Sequence, residues 1–511
     1  MAQRNLLYWT KHPHSSATPV LLPRYQPPQA PAMTTTRTLQ RDSNLTLTEQ
    51  LAQRFAERIE QHLLLPGSRL PSVRECAKAH EVSPHTVVAA YDQLQARGLV
   101  EAKAQRGYFV RSPSQRPGMN EASKGTSNAR PRPFEPSQPI DATALIRGMF
   151  HEPGKRAMPA LGTLPPDWLD AAMLSAALRR VTQGDKLAAL SLHYGDPMGD
   201  ARLRQALSLK LDEFGIKAQS SQIITTVGAA QALDVVSRTL LQAGDAVLVD
   251  EPGWAAEFAR LQLMGARILP VPRGPDGPDL KVLAQLAQAH QPKLYVTVSV
   301  LHNPTGAMLS PGHAHQVLRL AEQHNFHIIE DDIYGWLAPP HATRLSVLDE
   351  LQRTISVGSF SKVLAPGWRV GYIAAPTALV DRIVSTKLLS TLSTPPVLEQ
   401  ALAHCLEQGT LRRHCERVIQ QLDAARSRCM ALVKQAGCEF KSPPQGLFGW
   451  VDVGVDTERL THPMLDAGWL IAPGSLFHAQ RKPTTLMRVN VATSQDASFW
   501  KALQVARKKL G

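Results

Sequence analysis

Cysteine is scarce in this sequence, and its placement excludes two common ways of stabilising a fold. The 511 residues include five cysteines, none in a C-x-x-C pair, so no metal site is predicted. Such a sparse, odd set also argues against a framework of disulfide bonds. No apolar run approaches the ~18 residues of a membrane span. The start, MAQRNLLYWTKHPHSS, lacks the apolar core of a signal peptide. These absences predict a cytoplasmic protein.

Aromatic residues are also few, at 5%, but hydrophobic residues make up 43% and charged residues 19% of the chain. This balance predicts a large packed core, and the length predicts two or three domains. The formal net charge is +13. A basic excess of this size suits a polyanion partner, and it suits a soluble enzyme with a basic surface equally well.

Changes in composition divide the chain into four parts. Residues 1–43 lack periodicity and are typical of a disordered arm, although a translation start at Met33 is an equally good interpretation. Residues 44–112 are compact and periodic, whereas 113–150 are rich in Pro, Ser, Gly and Arg and predict a flexible linker. In residues 151–511, apolar strands alternate with helical stretches, which predicts an α/β fold with a mostly parallel sheet. The clearest strands are AVLVD (246–250), LYVTVSV (294–300), HIIEDD (327–332) and TISVGS (354–359).

Residues 46–110 follow the pattern of three helices and a β-hairpin. TLTEQLAQRFAERIEQH (46–62) has helical apolar spacing, and in the next helix Ser72 followed by Glu75 forms a capping box. After a short turn, Ser83 can cap a helix that has Pro84 at its first position and stops at Gly98. LVEAKAQRGYFV (99–110) then predicts two short strands around a basic turn. Together these elements indicate a winged helix-turn-helix.

The second helix of such a unit enters the DNA major groove with its first residues at the base edges, while arginines near the wing approach phosphates. Val87 belongs to that first turn, but the core is its more natural place. A three-helix unit that binds another protein is the alternative interpretation. The predicted DNA-binding residues are Arg69, Ser72, Arg74, Ser83, His85, Thr86, Arg106 and Gly107.

The pattern R-L-P-S-x-R-E, V-S-x-x-T-V, A-Y-x-x-L, G-L-V and R-G-Y-F-V resembles the GntR-family DNA-binding domain. The resemblance covers about 65 residues and implies binding to double-stranded DNA. Many members carry arginine after the serine that begins the recognition helix, whereas this chain has Pro84 there. The family's base preference is therefore not carried over.

The most specific pattern in the second half is SVGSFSKVLAPGWRVGY (356–372), which places Lys362 between a strand and a Pro-Gly turn. It resembles the cofactor-lysine signature of class I and II aminotransferases, which bind pyridoxal phosphate. The resemblance implies a fold-type I domain with a small C-terminal α+β subdomain. It also implies that Lys362 attaches covalently to the cofactor, while Ser359, Ser361 and Arg369 hold its phosphate.

Other segments resemble the same family in the same order. TVGAAQALDVV (226–236) places Gly228, Ala229 and Ala230 at a helix start that could bind phosphate, although small residues often begin helices for packing alone. In DEPGW, the resemblance makes Trp254 the ring that stacks on the cofactor, whereas by itself it would be a core residue.

The resemblance assigns the remaining contacts of the cofactor and its ligand. In HNPTG, Asn303 would contact the ring hydroxyl, and in EDDIY, Asp331 would pair with the pyridine nitrogen, with Asp332 as the rival acid. The implied contacts also include Tyr334 as a donor to the ring oxygen, Tyr194 as a phosphate ligand of the neighbouring subunit or a structural residue, and Arg488 as the group that grips a substrate carboxylate.

The two modules in this order resemble the MocR/GabR-type regulators, whose aminotransferase-like part serves as a sensor in a head-to-tail homodimer. The resemblance implies a transcription regulator that senses pyridoxal phosphate or an amino compound. One alternative is an active aminotransferase that carries a DNA-binding domain. Another is a binding module in which the cofactor only stabilises the dimer.

Overall fold

A computed structural model describes residues 39, 45–60, 64, 67–103, 106–111 and 158–510. The predicted arm at 1–43 and the linker at 113–150 lie almost entirely outside these residues. Within the described ranges, no helix is both long and apolar enough to cross a membrane.

The N-terminal module has the predicted order of three helices followed by a hairpin. Its elements are α1 (Leu47–Glu60), α2 (Val73–His80), α3 (Pro84–Ala96), β1 (Val100–Lys103) and β2 (Gly107–Val110). The apolar stripe of α1, which includes Leu51, Phe55 and Ile59, packs with Tyr91 and Leu94 of α3 in a small core. The strands pair antiparallel, with Lys103 opposite Gly107 at the turn. This order and core are those of a winged helix-turn-helix.

Helix caps set the boundaries of α2 and α3. Ser72 and Glu75 make both hydrogen bonds of the predicted capping box. The Ser83 side chain accepts a hydrogen bond from the Thr86 backbone at 3.1 Å, and Pro84 begins α3. Local side chains thus fix the turn that joins the two helices.

The second domain alternates helices and strands. Its helices are α4 (Ala171–Thr182), α5 (Lys186–Ser191), α6 (Ala201–Glu213), α7 (Ala229–Leu240), α8 (Ala255–Leu263), α9 (Leu280–His290), α10 (Pro311–Gln323), α11 (Leu345–Leu348), α12 (Thr377–Thr391), α13 (Pro396–Glu407), α14 (Thr410–Gln435), α15 (Thr457–Asp466) and α16 (Ala497–Leu510). Its strands are β3 (Ile223–Thr226), β4 (Ala246–Glu251), β5 (Arg267–Pro272), β6 (Leu294–Thr297), β7 (His327–Asp331), β8 (Thr354–Ser359), β9 (Gly371–Ala374), β10 (Glu439–Phe440), β11 (Phe448–Asp452), β12 (Ala472–Pro473) and β13 (Leu486–Asn490).

Seven of these strands form one sheet in the order β3-β9-β8-β7-β6-β4-β5. The pairs from β8 to β5 are parallel, and β9 runs antiparallel between β3 and β8. Alternate residues of one strand face opposite layers: Val247 and Val249 pack in one core, and Leu248 packs in another. Both faces are therefore buried, as predicted for a mostly parallel sheet.

A second, antiparallel sheet in the order β10-β11-β13-β12 forms the core of a small C-terminal subdomain with α14, α15 and α16. The predicted strands at 294–300 and 327–332 end earlier, at Thr297 and Asp331. The residues after these ends form loops at the carboxyl edge of the parallel strands, where ligands of α/β proteins bind.

Candidate cofactor and amino-acid site

Lys362 lies just after β8 at the carboxyl edge of the large sheet. Its Nζ donates a hydrogen bond to the backbone carbonyl of Gly162 at 2.7 Å. Burial, together with the positive charge of Arg488, lowers the pKa of Lys362 to about 8. A larger share of this amine is neutral near physiological pH than for an ordinary lysine, which suits a nucleophile.

The two neighbouring acids at the end of β7 have different surroundings. Asp332 accepts a hydrogen bond from Nε of the buried Arg344 at 2.9 Å. Asp331 has a buried Oδ1 without a hydrogen-bond partner in the described chain, and burial together with the Glu257 charge raises its pKa to about 7. Because Asp332 already has a cation, Asp331 is the acid that suits a protonated ring nitrogen.

Three predicted ring contacts lie around these groups. Tyr334 is 2% exposed, packs edge-on against Phe448 and hydrogen-bonds with the side chain of Asn303. Burial raises the pKa of Tyr334, so its hydroxyl remains a donor. Trp254 directly precedes α8 and lines a cleft together with Asp331. These residues come from three separate loops.

The predicted phosphate ligands converge at the start of α7. Arg369 Nη1 donates to Ser361 Oγ at 3.0 Å, Nη2 donates to the Val227 carbonyl at 3.1 Å, and Ser359 Oγ accepts from the Ser361 amide. Gly228 has φ +76°, and a Cβ there would lie 2.5 Å from Arg369 Nη2. Only glycine allows this close approach of the guanidinium to the helix start. The group comprises Gly228, Ala229, Ala230, Ser359, Ser361 and Arg369.

Arg488 is the predicted carboxylate-binding residue, and it stands on β13 of the small subdomain. Nη1 donates to Asn303 Oδ1 at 3.1 Å, and Nη2 donates to the Ala160 carbonyl at 2.6 Å. The guanidinium lies 4.3 Å from the Phe448 ring centre and 5.1 Å from that of Phe477. Burial lowers the pKa of Arg488 to about 10, so it remains charged at neutral pH.

The segment 160–163, which the sequence patterns did not identify, contacts both Lys362 and Arg488. The carbonyls of Ala160 and Gly162 accept their hydrogen bonds, and Asn490 Nδ2 donates to the carbonyls of Leu161 and Thr163 at 2.8 Å each. Backbone carbonyls act here, so residue type gives no signal. Glu257 was missed too; it is 5% exposed and lines the cleft beside Asp331, but it lies outside every motif that the sequence offered.

Tyr194 is not part of this cluster within one chain. Its side chain is 85% exposed, at the surface of the loop before α6. This exposure agrees with a contact to a neighbouring subunit, which stays a prediction.

The residues predicted to bind DNA occupy one module. Arg74, His85 and Arg106 are exposed, whereas Ser72 and Ser83 are used as helix caps. The Arg69 guanidinium lies beside Gly107, where a Cβ would come within 3.3 Å of its Nε. Thr86 shares a hydrogen bond with Ser83 at 2.8 Å. The serines therefore cap helices, whereas the arginines and His85 are exposed, and contact of any of them with DNA stays a prediction.

Comparison with protein families assigns both modules. Residues 47–110 match the sequence model of the family described as bacterial regulatory proteins, gntR family. Residues 165–505, about two thirds of the chain, match the model described as aminotransferase class I and II.

Similar proteins include HTH-type transcriptional regulators and solved aminotransferases. The uncharacterized HTH-type transcriptional regulator YjiR of Escherichia coli (strain K12) is 28% identical over 472 residues, which cover 90% of this chain and 98% of that protein. The probable rhizopine catabolism regulatory protein MocR of Rhizobium meliloti is 28% identical over 393 residues, 74% of this chain and 76% of that protein. The alpha-aminoadipate aminotransferase LysN of Thermus thermophilus, solved with N-(5'-phosphopyridoxyl)-L-leucine, superposes with a TM-score of 0.66 at 24% identity, over 73% of this chain and 96% of that one.

The residues present fit pyridoxal phosphate, the cofactor of the matched aminotransferase family. The buried Asp331 oxygen without a partner would receive the protonated ring nitrogen. The glycine at the start of α7 and the Arg369 guanidinium form a cradle that a Cβ would fill. When bound, the cofactor supplies an aldehyde that attaches to amines and a ring that withdraws electrons from them.

Proposed function

Because the chain belongs to the aminotransferase class I and II family and also carries a gntR-type module, we propose that it is a pyridoxal phosphate-dependent transcription regulator of the cytoplasm. Its aminotransferase-like domain senses the cofactor or an amino compound, and its winged helix-turn-helix binds an operator in double-stranded DNA. The observation that carries this proposal is the presence of two separate sites in one chain. One is the exposed group of Arg74, His85 and Arg106, which is the proposed DNA-reading surface. The other is the group around Lys362 and Arg488, which is the proposed site for an amine and a carboxylate.

The buried site defines the class of effector. An incoming amine could replace the Lys362 amine at the cofactor aldehyde. The Lys362 pKa of about 8 keeps part of the lysine amine neutral. Arg488 Nε is buried without a hydrogen-bond partner in the described chain, and a guanidinium can hold a carboxylate through parallel hydrogen bonds. The proposed effector is therefore an α-amino acid in preference to a simple amine.

The surface around Tyr194 supports the proposed head-to-tail homodimer. Leu192 is 75% exposed and Leu389 is 92% exposed. Gly195 approaches the Thr394 carbonyl, so the loop and the end of α12 are neighbours. A second subunit that covers these apolar side chains would bring its own Tyr194 toward the facing phosphate cradle.

Operator binding by the full-length protein tests the regulator hypothesis. A DNA fragment selected by the protein from random sequence is titrated with and without pyridoxal phosphate and a panel of amino acids and amines. We expect at least one compound to change the dissociation constant about tenfold or more, since regulation requires different affinities for two conformations. An unchanged constant with every compound contradicts the proposal.

A working aminotransferase is the second candidate, and the intact set of reacting groups favours it. Lys362 could move a proton at the amino acid's α-carbon once its amine is released. Steady turnover of an amino donor with a keto acid would establish an enzyme. Conversion that stops after one equivalent per subunit would favour the sensor.

A further inference from the structure

Helix α15 connects the DNA-binding module to the small subdomain. At its C-terminal end, Asp466 Oδ1 accepts a hydrogen bond from Arg58 Nη1 of α1 at 2.6 Å, and both side chains are largely buried. Leu465 packs against the core of the module. His462 Nε2 donates to the Arg69 carbonyl at 3.1 Å. Apolar, ionic and hydrogen-bonded contacts thus meet on one helix end.

The first turn of α15 makes hydrogen bonds with the loop 474–477, which lies next to Arg488. Ser475 Oγ donates to Glu458 Oε1 at 2.8 Å, and the Gly474 amide donates to Thr457 Oγ1 at 3.2 Å. This loop continues to Phe477, whose ring lies against the Arg488 guanidinium.

The strands beside the loop tie it to Arg488 a second time. Ala472 of β12 is the direct partner of Arg488 on β13. Thr457 Oγ1 also donates to the carbonyl of Leu486 on β13 at 3.0 Å. The N-terminal end of α15 is therefore fixed to the residues on both sides of the carboxylate-binding arginine.

The middle of α15 prevents its two ends from moving separately. Leu460 and Met464 are fully buried in the core of the small subdomain. Pro463 removes one internal hydrogen bond, but the amides of Ala467 and Gly468 close the last turn on the carbonyls of Pro463 and Leu465. A helix of ten residues is about 15 Å long, so the small subdomain and this helix can shift as one body.

We propose that α15 couples carboxylate binding at Arg488 to the orientation of the DNA-binding module, with the Arg58–Asp466 pair as the connecting contact. This inference rests on the proposed regulator function and names its mechanical path. A carboxylate that draws Arg488 toward the cofactor moves the small subdomain, and α15 moves the docked module with it. The two conformations present the DNA-reading surface differently, which supplies the differential contact that coupling requires.

The docked arrangement orients the module and does not mask it. His85 and Arg106 stay exposed while α1 and the Arg69 carbonyl contact α15. Arg58 is a close cation of Asp466, and His80 Nε2 lies 3.8 Å from Asp466 Oδ2. Burial lowers the pKa of His80, so this imidazole is a neutral neighbour near physiological pH. Removal of the Asp466 charge would leave the largely buried Arg58 without its carboxylate.

The test compares two stable conjugates that differ only in a carboxylate. Full-length protein is loaded with N-(5'-phosphopyridoxyl)-L-leucine or with the matching conjugate of 3-methylbutylamine, and its dissociation constant for the selected operator fragment is measured. In the wild type we expect the two constants to differ about tenfold. In Asp466→Asn the ratio should fall below about twofold. The matched control, Asp423→Asn, removes a surface partner of Arg426 on α14 and should keep the wild-type ratio.

Each other outcome contradicts a defined claim. If the wild type shows the tenfold ratio and Asp466→Asn keeps it, α15 coupling is wrong while the regulator hypothesis stands. If the wild type responds to no amino compound in any form, the regulator hypothesis itself fails. Should Asp466→Asn lose all operator binding, the charge-exchanged double variant Arg58→Asp with Asp466→Arg decides. If the double variant regains the tenfold ratio of dissociation constants, the Arg58–Asp466 pair is supported as the connecting contact. If it binds DNA without that ratio, the proposal is overturned.

Discussion

The two modules of this chain handle their functional side chains in opposite ways. In the winged module, the serines cap helices within three residues of themselves, and Arg74 and Arg106 extend into solvent. In the aminotransferase-like domain, Arg488 is buried and bonded to groups more than 180 residues away. Residues close together in the sequence can form a DNA-binding surface, because water satisfies the exposed cations. A buried site needs the whole fold to supply partners, so damage to it should be larger and more specific.

Lys362→Ala is expected to have the largest effect, because it removes the amine that is proposed to attach to the cofactor. Added pyridoxal phosphate should give no visible absorbance from a lysine-bound cofactor, which a spectrophotometric titration checks. The matched control is Lys387→Met. Lys387 is buried, and burial likewise lowers its pKa to about 8, but it donates to the Pro197 carbonyl. If the two variants lose the absorbance alike, the loss is not specific to Lys362 and its assignment as the attachment residue is wrong.

Arg488→Met should weaken binding of α-amino acids about 100-fold, which corresponds to ~2.7 kcal/mol for two charge-assisted hydrogen bonds. The corresponding amines without a carboxylate should change by less than about threefold. Spectral titration of the cofactor-loaded protein with leucine and 3-methylbutylamine measures both. An equal loss for the two ligands would mean that Arg488 only supports the fold.

The pH dependence of cofactor attachment sharpens the contrast between buried and exposed cations. Since attachment needs a neutral amine, its rate should rise with pH through a midpoint near the Lys362 pKa of about 8. Arg488→Met removes a positive charge that disfavours the ammonium form, so the pKa and the midpoint should move to higher pH. Stopped-flow absorbance from pH 6 to 10 measures the shift. A midpoint that moves downward contradicts the assigned electrostatics.

The smallest effect is expected in the winged module. Arg106→Ala should weaken operator binding only several-fold, equally on specific and random DNA, and lower the salt slope by about one. Fluorescence anisotropy over a range of salt concentrations checks this. Arg412→Ala, on the exposed face of α14, is the control and should change neither quantity. A loss confined to the specific operator would instead make Arg106 a base-reading residue.

The patterns predicted the helices and caps of the winged module because their causes are local. The Ser72–Glu75 box and the Ser83 cap lie within three residues, and the structure has both. The order of strands and helices likewise indicated the α/β fold that the family match confirms. The sequence did not predict that β9 is antiparallel, because the residue types of a four-residue strand do not determine its direction in the sheet.

The structure brings most of the predicted site residues together where a motif surrounded them. Lys362 and Arg369 came from one segment, and the structure places Arg369 beside the predicted glycine. The sequence left Asp332 as a rival of Asp331, and only the fold shows that Arg344, which comes later in the chain, pairs with Asp332. The Ala160 and Gly162 carbonyls gave no signal at all, since any residue type can present a carbonyl.

The proline that begins α3 has a consequence for how this helix can hold DNA. A helix start usually offers several free amide donors to a phosphate. Here Pro84 has no N–H, and the amides of Thr86 and Val87 donate to Ser83. That leaves the amide of His85 as the one backbone donor in this turn of the described module. The recognition helix therefore depends on side-chain chemistry, and its positive end contributes little as an anion-binding site.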